Sequence, residues 1–202
     1  MSNISHEQII GYQTYLKLIH ERMLDKYFKE QAPYLCCKDG CAHCCKKGQY
    51  PVSEIEFRYI LLKFASLEKE KQTQILYNIQ SVIKEKLNSG LSQEQFFYRC
   101  PFLINDSCSV YENRAIICRT HGLMFFIDDK NKIPSCVDLG LNYSMVYDEE
   151  KKIISEELCK KSGIETPPQA YNLSLKTLTN SEITKKLGFE FRNIKPLIEW
   201  FM

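Results

Sequence analysis

The stretch Cys36-Cys37-Lys38-Asp39-Gly40-Cys41-Ala42-His43-Cys44-Cys45 holds five of the chain's ten cysteines within ten residues. Two spacings here suit a metal ion. Cys41-x2-Cys44 is the short loop that lets two sulfurs reach one cation, and Cys37-x3-Cys41 adds a third donor in the same turn. Adjacent cysteines are constrained differently, because neighbouring side chains point to opposite sides of an extended chain and about 100° apart on a helix. Cys44 and Cys45 are therefore expected to serve different ions or different metals of one cluster, or else one of them is a small buried hydrophobe. The same holds for Cys36 and Cys37.

Further thiols follow at Cys100-Pro101-Phe102-Leu103, Cys108-Ser109-Val110-Tyr111, Arg114-x3-Cys118-Arg119 and Cys136. Ten cysteines also permit five disulfides. Against that stand a polar N-terminus without a basic start or an apolar run and a cysteine content below the roughly 8–10% of disulfide-built scaffolds. At 202 residues the chain can bury a core without covalent staples. A reducing, cytoplasmic setting is the expectation.

The positioning elements can be read from periodicity. Ile9, Tyr12, Leu16, Ile19 and Met23 fall at helical spacing, which predicts an amphipathic helix from residue 5 to about 30 that covers the domain or meets a protein partner. Pro33 ends it. Ser53-Glu54-Ile55-Glu56 is a capping box opening a helix over 53–66 that is apolar on most faces. A third helix runs over 68–88 and stops at Gly90, and Ser92-x-x-Gln95 offers a weaker capping signal before a short helical turn. Asn105-Asp106-Ser107 reads as a turn that brings Cys100 and Cys108 together. With Asn113 as a cap, Arg114 and Cys118 would share one helix face. Leu123 to Ile127, a polar turn over 128–132 and Ile133 onward suggest a hairpin carrying Cys136. Helical patterns recur around 153–161, 181–187 and 196–202, with Pro196 in the first turn of the last. The expected fold is mainly α: a small helical domain with irregular cysteine-bearing loops and a short β-hairpin around a metal centre. The expected division is an N-terminal helix plus metal-binding domain over 1–141 and a helical extension over 142–202, whose helices also offer a surface to a protein partner.

Taken in order, Cys37-x3-Cys41-x2-Cys44-Cys45, Cys100-Pro-Phe-Leu, Cys108-x-Val-Tyr111-x2-Arg114-x3-Cys118-Arg119 and Cys136 resemble the YkgJ-type cysteine-cluster family, described as chelating zinc or iron. The resemblance covers residues 35–137. It implies eight metal ligands: Cys37, Cys41, Cys44, Cys45, Cys100, Cys108, Cys118 and Cys136. Where that family has Arg-Pro, this chain has Arg114-Ala115, which loosens the backbone and removes no ligand. A related pattern in flagellin lysine methylases implies that such a domain can hold an iron–sulfur cluster in an enzyme. This chain is much shorter and carries no glycine-rich methyl-donor motif, so no catalytic residue is assigned.

Thiolate-only ligands suit both Zn2+ and an iron–sulfur cluster. Four thiolates around zinc carry a formal charge of −2, which asks for nearby cations. Lys38, Lys46, Lys47, Arg99, Arg114 and Arg119 lie close to cysteines in sequence, and Arg114, Arg119 and Tyr111 are the second-layer candidates. His43 and His121 could also ligate, although His43, between Cys41 and Cys44, is expected to point outward. Cys159 has no second thiol nearby and reads as a core or surface thiol. The formal net charge of +2 supplies no single-sign field for nucleic acid, and no apolar run is long enough to span a membrane. Three roles stay open: a structural or redox metal-binding protein, an iron–sulfur enzyme, and a zinc-stabilised interaction adaptor.

Overall fold

In the computed structural model, residues 4–38, 40–127 and 130–202 are described. The fold is mainly α with short antiparallel hairpins. Helices α1 (His6–Ile19), α2 (Asp25–Gln31), α3 (His43–Lys46), α4 (Glu54–Ala65), α5 (Lys69–Ser89), α6 (Ile116–Thr120), α7 (Glu156–Lys161), α8 (Leu175–Leu178) and α9 (Ser181–Lys186) alternate with two- and three-residue strands. The strands pair as β1 (Pro51–Val52) with β8 (Lys195–Pro196), β2 (Leu103–Ile104) with β3 (Ser107–Cys108), β4 (Phe125–Ile127) with β5 (Lys130–Lys132), and β6 (Tyr147–Asp148) with β7 (Ile153–Ile154). The chain divides into two units. Unit 1 comprises Met1–Leu16, Asp39–Arg119 and Thr179–Met202, and unit 2 comprises Lys17–Lys38 and Thr120–Leu178.

Unit 1 is built on α4 and α5. The capping box at Ser53 and Glu56 forms and starts α4. Phe57 and Ile60 then face Ile75, Ile79 and Val82 of α5 in a core that also takes in Val52, Phe102, Val110 and Trp200. The first turn of α4 is buried all round, from Glu54 to Phe57, while Leu62 farther along is exposed. The C-terminal segment closes this core. Trp200 stacks on Phe57 with ring centroids 5.2 Å apart, and its indole N–H donates to the Val52 carbonyl at 2.9 Å. The last helical stretch is a 3-10 turn, Leu197–Trp200, preceded by Pro196 in a strand rather than in a helical first turn. Tyr12 and Tyr15 of α1 pack edge-on against Phe189, so the chain itself covers this part of the N-terminal apolar stripe.

The predicted N-terminal helix is continuous to Gln31 but contains a π-helical turn, His20–Leu24. Unit 2 has its own core of Tyr34, Met124, Val137, Tyr143, Val146, Tyr147 and Cys159. The expected hairpin forms with Phe125 opposite Lys132, so Lys130–Lys132 is a strand rather than part of the turn; Asp128 and Asp129 lie outside the described residues. The helical pattern expected from residue 153 splits, because Ile153–Ile154 is a strand and α7 begins only where the Ser155 side chain accepts the Leu158 N–H. Among the described residues no helix is long and apolar enough to cross a membrane.

Candidate metal centre

Four separate segments of unit 1 bring their sulfurs together. Cys44 and Cys45 sit on α3, one helical turn whose last two amides fold back onto the Ala42 carbonyl, from Cys45 at 2.9 Å and from Lys46 at 3.0 Å. The chain after α3 runs beside the Cys100 segment. The Cys100 N–H donates to the Cys45 carbonyl at 2.8 Å, and Gly48 and Tyr98 exchange two backbone bonds at 3.0 Å. The β2–β3 hairpin turns through Asn105 (φ 49°) and Asp106 (φ 56°), the left-handed pair that suits a two-residue hairpin, and sets Leu103 opposite Cys108. Cys118 arrives on α6, whose first amide, Ile116 N–H, donates to Glu56 Oε1 at 2.8 Å.

The two neighbouring sulfurs do not diverge as expected. Cys44 Sγ and Cys45 Sγ are 4.0 Å apart, close to the roughly 3.8 Å edge of a tetrahedron with 2.3 Å zinc–sulfur bonds. Adjacent Cα atoms stand only about 3.8 Å apart, so side-chain rotation can close the angular gap that helix geometry opens. Among the described residues no three His, Cys, Asp or Glu side chains stand in metal-holding geometry. Cys44, Cys100, Cys108 and Cys118 are near enough to act on one another's charge without forming such a set.

Their electrostatics show the same gathering. Burial pushes the Cys118 thiol up to about 12, helped by the nearby Cys108, Glu56 and Cys44, while the Arg114 charge pulls it down. Burial likewise raises Cys100, with Cys118, Cys108 and Cys44 adding to the rise. Cys108 is raised by burial and by Cys44, against the pull of Arg114 and Arg119. The contact with Cys45 is the main cause that raises Cys44, followed by burial. The buried Tyr50 hydroxyl is raised first by its burial and then by Cys100, Cys45 and Cys118, which ties Cys45 to the same group. Cys44, Cys100, Cys108 and Cys118 are thus each held toward the protonated form, the last three by burial first and Cys44 by its contact with Cys45 first. A divalent cation or a cluster reverses that balance, and an all-sulfur donor set is the kind that soft thiophilic metals take. The residues therefore fit the group.

The supporting shell differs in part from expectation. Asn113 is not a helix cap, because its side-chain amide donates to the Tyr59 carbonyl at 2.9 Å and Arg114 stays extended at φ −62°, ψ 151°. That is the conformation a following proline would impose, retained here with Ala115. Arg114 lies over the Tyr111 ring, its guanidinium carbon 3.6 Å from the centroid, while Arg119 donates to the Glu112 and Arg114 carbonyls. The Lys46 and Arg99 charges meet at Asp106, at 3.1 and 3.5 Å. Lys38 and Lys47 are exposed, as is His43.

Sequence reasoning saw Glu56 only as a capping residue. It is 3% exposed, and it accepts from the Ser53 N–H (2.8 Å), the Ser53 hydroxyl (2.6 Å), the Ile116 N–H and the Tyr12 hydroxyl (3.3 Å). One carboxylate thus joins α1, α4 and the helix carrying Cys118. Its spacing from Ser53 marked one pair of bonds; the others come from residues 44 and 60 positions away and left no local signal.

In unit 2, Cys37 and Cys136 both lie close enough to the Tyr143 hydroxyl to raise its pKa, after burial, the larger cause. The Cys37 sulfur accepts from the Asn142 side-chain amide at 3.2 Å. Cys36 is exposed, Cys159 is buried in the apolar core, and Cys41, in unit 1, is half-buried. Among the described residues, the contacts that link Cys44, Cys45, Cys100, Cys108 and Cys118 do not include Cys41. His121 is half-buried in unit 2.

Residues 35–160 match the CxxCxxCC family, the putative zinc- or iron-chelating domain. The chain belongs to this family. The CxxCxxCC match runs beyond residue 137 and takes in Asn142 and α7 as far as Lys160. No curated protein and no solved structure matches the chain. The family description supports a metal-binding role for the domain, with zinc and iron both within its range.

Proposed function

We propose that this CxxCxxCC domain binds its metal in unit 1 through Cys44, Cys100, Cys108 and Cys118, with Cys45 beside them, and that the bound group is structural. The observation that carries the reading is the convergence of these sulfurs from α3, the 98–100 segment, the β2–β3 hairpin and α6. Cys41 is a further proposed donor within unit 1, and Cys37 and Cys136 are proposed donors within unit 2. Zinc or an iron–sulfur cluster would supply the concentrated positive charge that turns these thiols into thiolates. Arg114 and Arg119 would offset the remaining negative charge, and Tyr111 keeps Arg114 in place. Closed all-sulfur coordination leaves no position for a hydrolytic water, so the domain organises a fold rather than a reaction. Thiolate ligands need reduced cysteines, which argues for a cytoplasmic setting.

Anaerobic purification with metal analysis and an absorption spectrum tests this. Stoichiometric zinc in a colourless protein, or iron with sulfide-to-iron charge-transfer bands, is the expected result and names the metal. Cys44→Ser and Cys118→Ser should each lower metal content; full occupancy in both would remove the basis of the ligand assignment.

A further inference from the structure

Asn142 is 1% exposed, a polar side chain that sequence reasoning passed over. Its carbonyl oxygen accepts the Cys36 N–H at 2.7 Å. Its amide nitrogen donates to the Gly122 carbonyl at 3.1 Å and to Cys37 Sγ at 3.2 Å. A flipped amide would set its NH2 against a donor and its oxygen against an acceptor, so two backbone groups fix the orientation that aims an N–H at the sulfur. The thiol can also point its own proton at Asn142 Oδ1, 3.7 Å away, but a deprotonated sulfur keeps only the contact in which it accepts.

The backbone on both sides of Asn142 is anchored too. The Leu141 N–H donates to the Cys136 carbonyl at 3.2 Å, and the Tyr143 N–H donates to the Tyr34 carbonyl at 2.8 Å. Asn142 is thereby pinned between the segment that carries Cys136 and the segment that leads into Cys37. Gly122 leaves the needed room. At φ +98° its backbone disfavours an L side chain, and a Cβ there would stand 3.1 Å from both Asn142 Nδ2 and Cys37 Sγ.

We infer that Asn142 is the positioning residue of Cys37: its orientation-locked N–H···S hydrogen bond fixes where that sulfur sits and which lone pairs it presents to a metal ion. The inference rests on the proposed role of Cys37 as a donor and deepens it. Hydrogen-bonded groups behind a metal ligand commonly govern affinity by about 10–100-fold.

The test uses the full chain loaded with the NMR-active isotope of cadmium, a thiophilic probe. The expected result is a cadmium–proton correlation to the Asn142 side-chain amide. Asn142→Asp keeps the shape and the acceptor for Cys36 but loses the donors. It should weaken cadmium binding about tenfold or more in chelator competition and shift the sulfur-to-metal absorption band. A folded Asn142→Asp with unchanged affinity and band overturns the proposal. If that variant does not fold, the wild-type correlation decides. Cys37→Ser separates the two readings. If it loses cadmium while wild type lacks the correlation, this inference alone fails; if it keeps the full cadmium complement, Cys37 is no donor and both fail.

Discussion

Cys118 and Cys159 carry the same thiol, and their surroundings decide what each can do. Cys159 is 1% exposed and packed with Tyr34, Val137 and Val146, so it acts as a small hydrophobe. Cys118 is half-buried against the unit 1 core with Cys100 and Cys108, and its neighbours also include the Cys44 sulfur and the Arg114 guanidinium. Cys159→Ala should therefore leave metal content at the wild-type value while lowering stability by about 1 kcal/mol through the small cavity. Cys118→Ser should instead lower metal content, with stability falling as the metal is lost. Paired metal assays and urea titrations check this, and metal loss in Cys159→Ala would mean that the buried thiol had been misassigned.

At the scale of elements, two carboxylates assemble the sulfur-bearing segments. Glu56 accepts four hydrogen bonds inside the core, and bonds to a charged group are worth about 1.5–3 kcal/mol each. Glu56→Ala strands donors on α1, α4 and α6 and should cost about 3 kcal/mol or more, read as a fall in the urea midpoint; an unchanged midpoint would show that water replaces the carboxylate. Asp106 works at the surface. Lys46, by hydrogen bond and then by charge, holds its carboxyl below the usual range, and Arg99 adds to this, so the hairpin turn is clamped to the segments of Cys45 and Cys100. A carboxylate with a depressed folded pKa contributes stability above the ordinary carboxylate range and loses it as pH falls through the depressed value. Wild type should accordingly exceed Asp106→Asn in stability at neutral pH, with the gap closing in acid and in high salt; a gap that grows in acid would contradict the clamp. Local chemistry explains what the sequence made legible. The capping box, the Gly90 stop and the Asn105-Asp106 turn are written within a few residues, and so was the meeting of Cys100 with Cys108. Glu56's grip on Ile116, Asn142's on Cys37 and the convergence of Cys44 with Cys45 depend on contacts or rotamers that neither periodicity nor spacing encodes.

At the scale of the molecule, the metal matters in proportion to how little else holds the cysteine-bearing segments. The α4–α5 core is continuous and apolar. The β2–β3 hairpin has two residues per strand and α6 only five residues, each too short to persist alone. Structural zinc contributes about 10–16 kcal/mol in small peptides, and a whole domain's net stability is about 5–15 kcal/mol, so the ion can decide whether residues 98–120 stay folded. Removing it leaves thiols whose burial and mutual proximity favour protonation, and with protonation goes the attraction that drew the segments together. Chelation should therefore lower the thermal midpoint and strip amide-exchange protection from the hairpin and α6, while α4 and α5, held by Phe57, Ile75 and Ile79, keep most of theirs. Loss of protection spread evenly over α4 and α5 would make the metal a keystone of the whole of unit 1. Identical melting and exchange with and without metal would instead show that hydrophobic packing alone sets these loops, and the ion would then be cargo rather than scaffold.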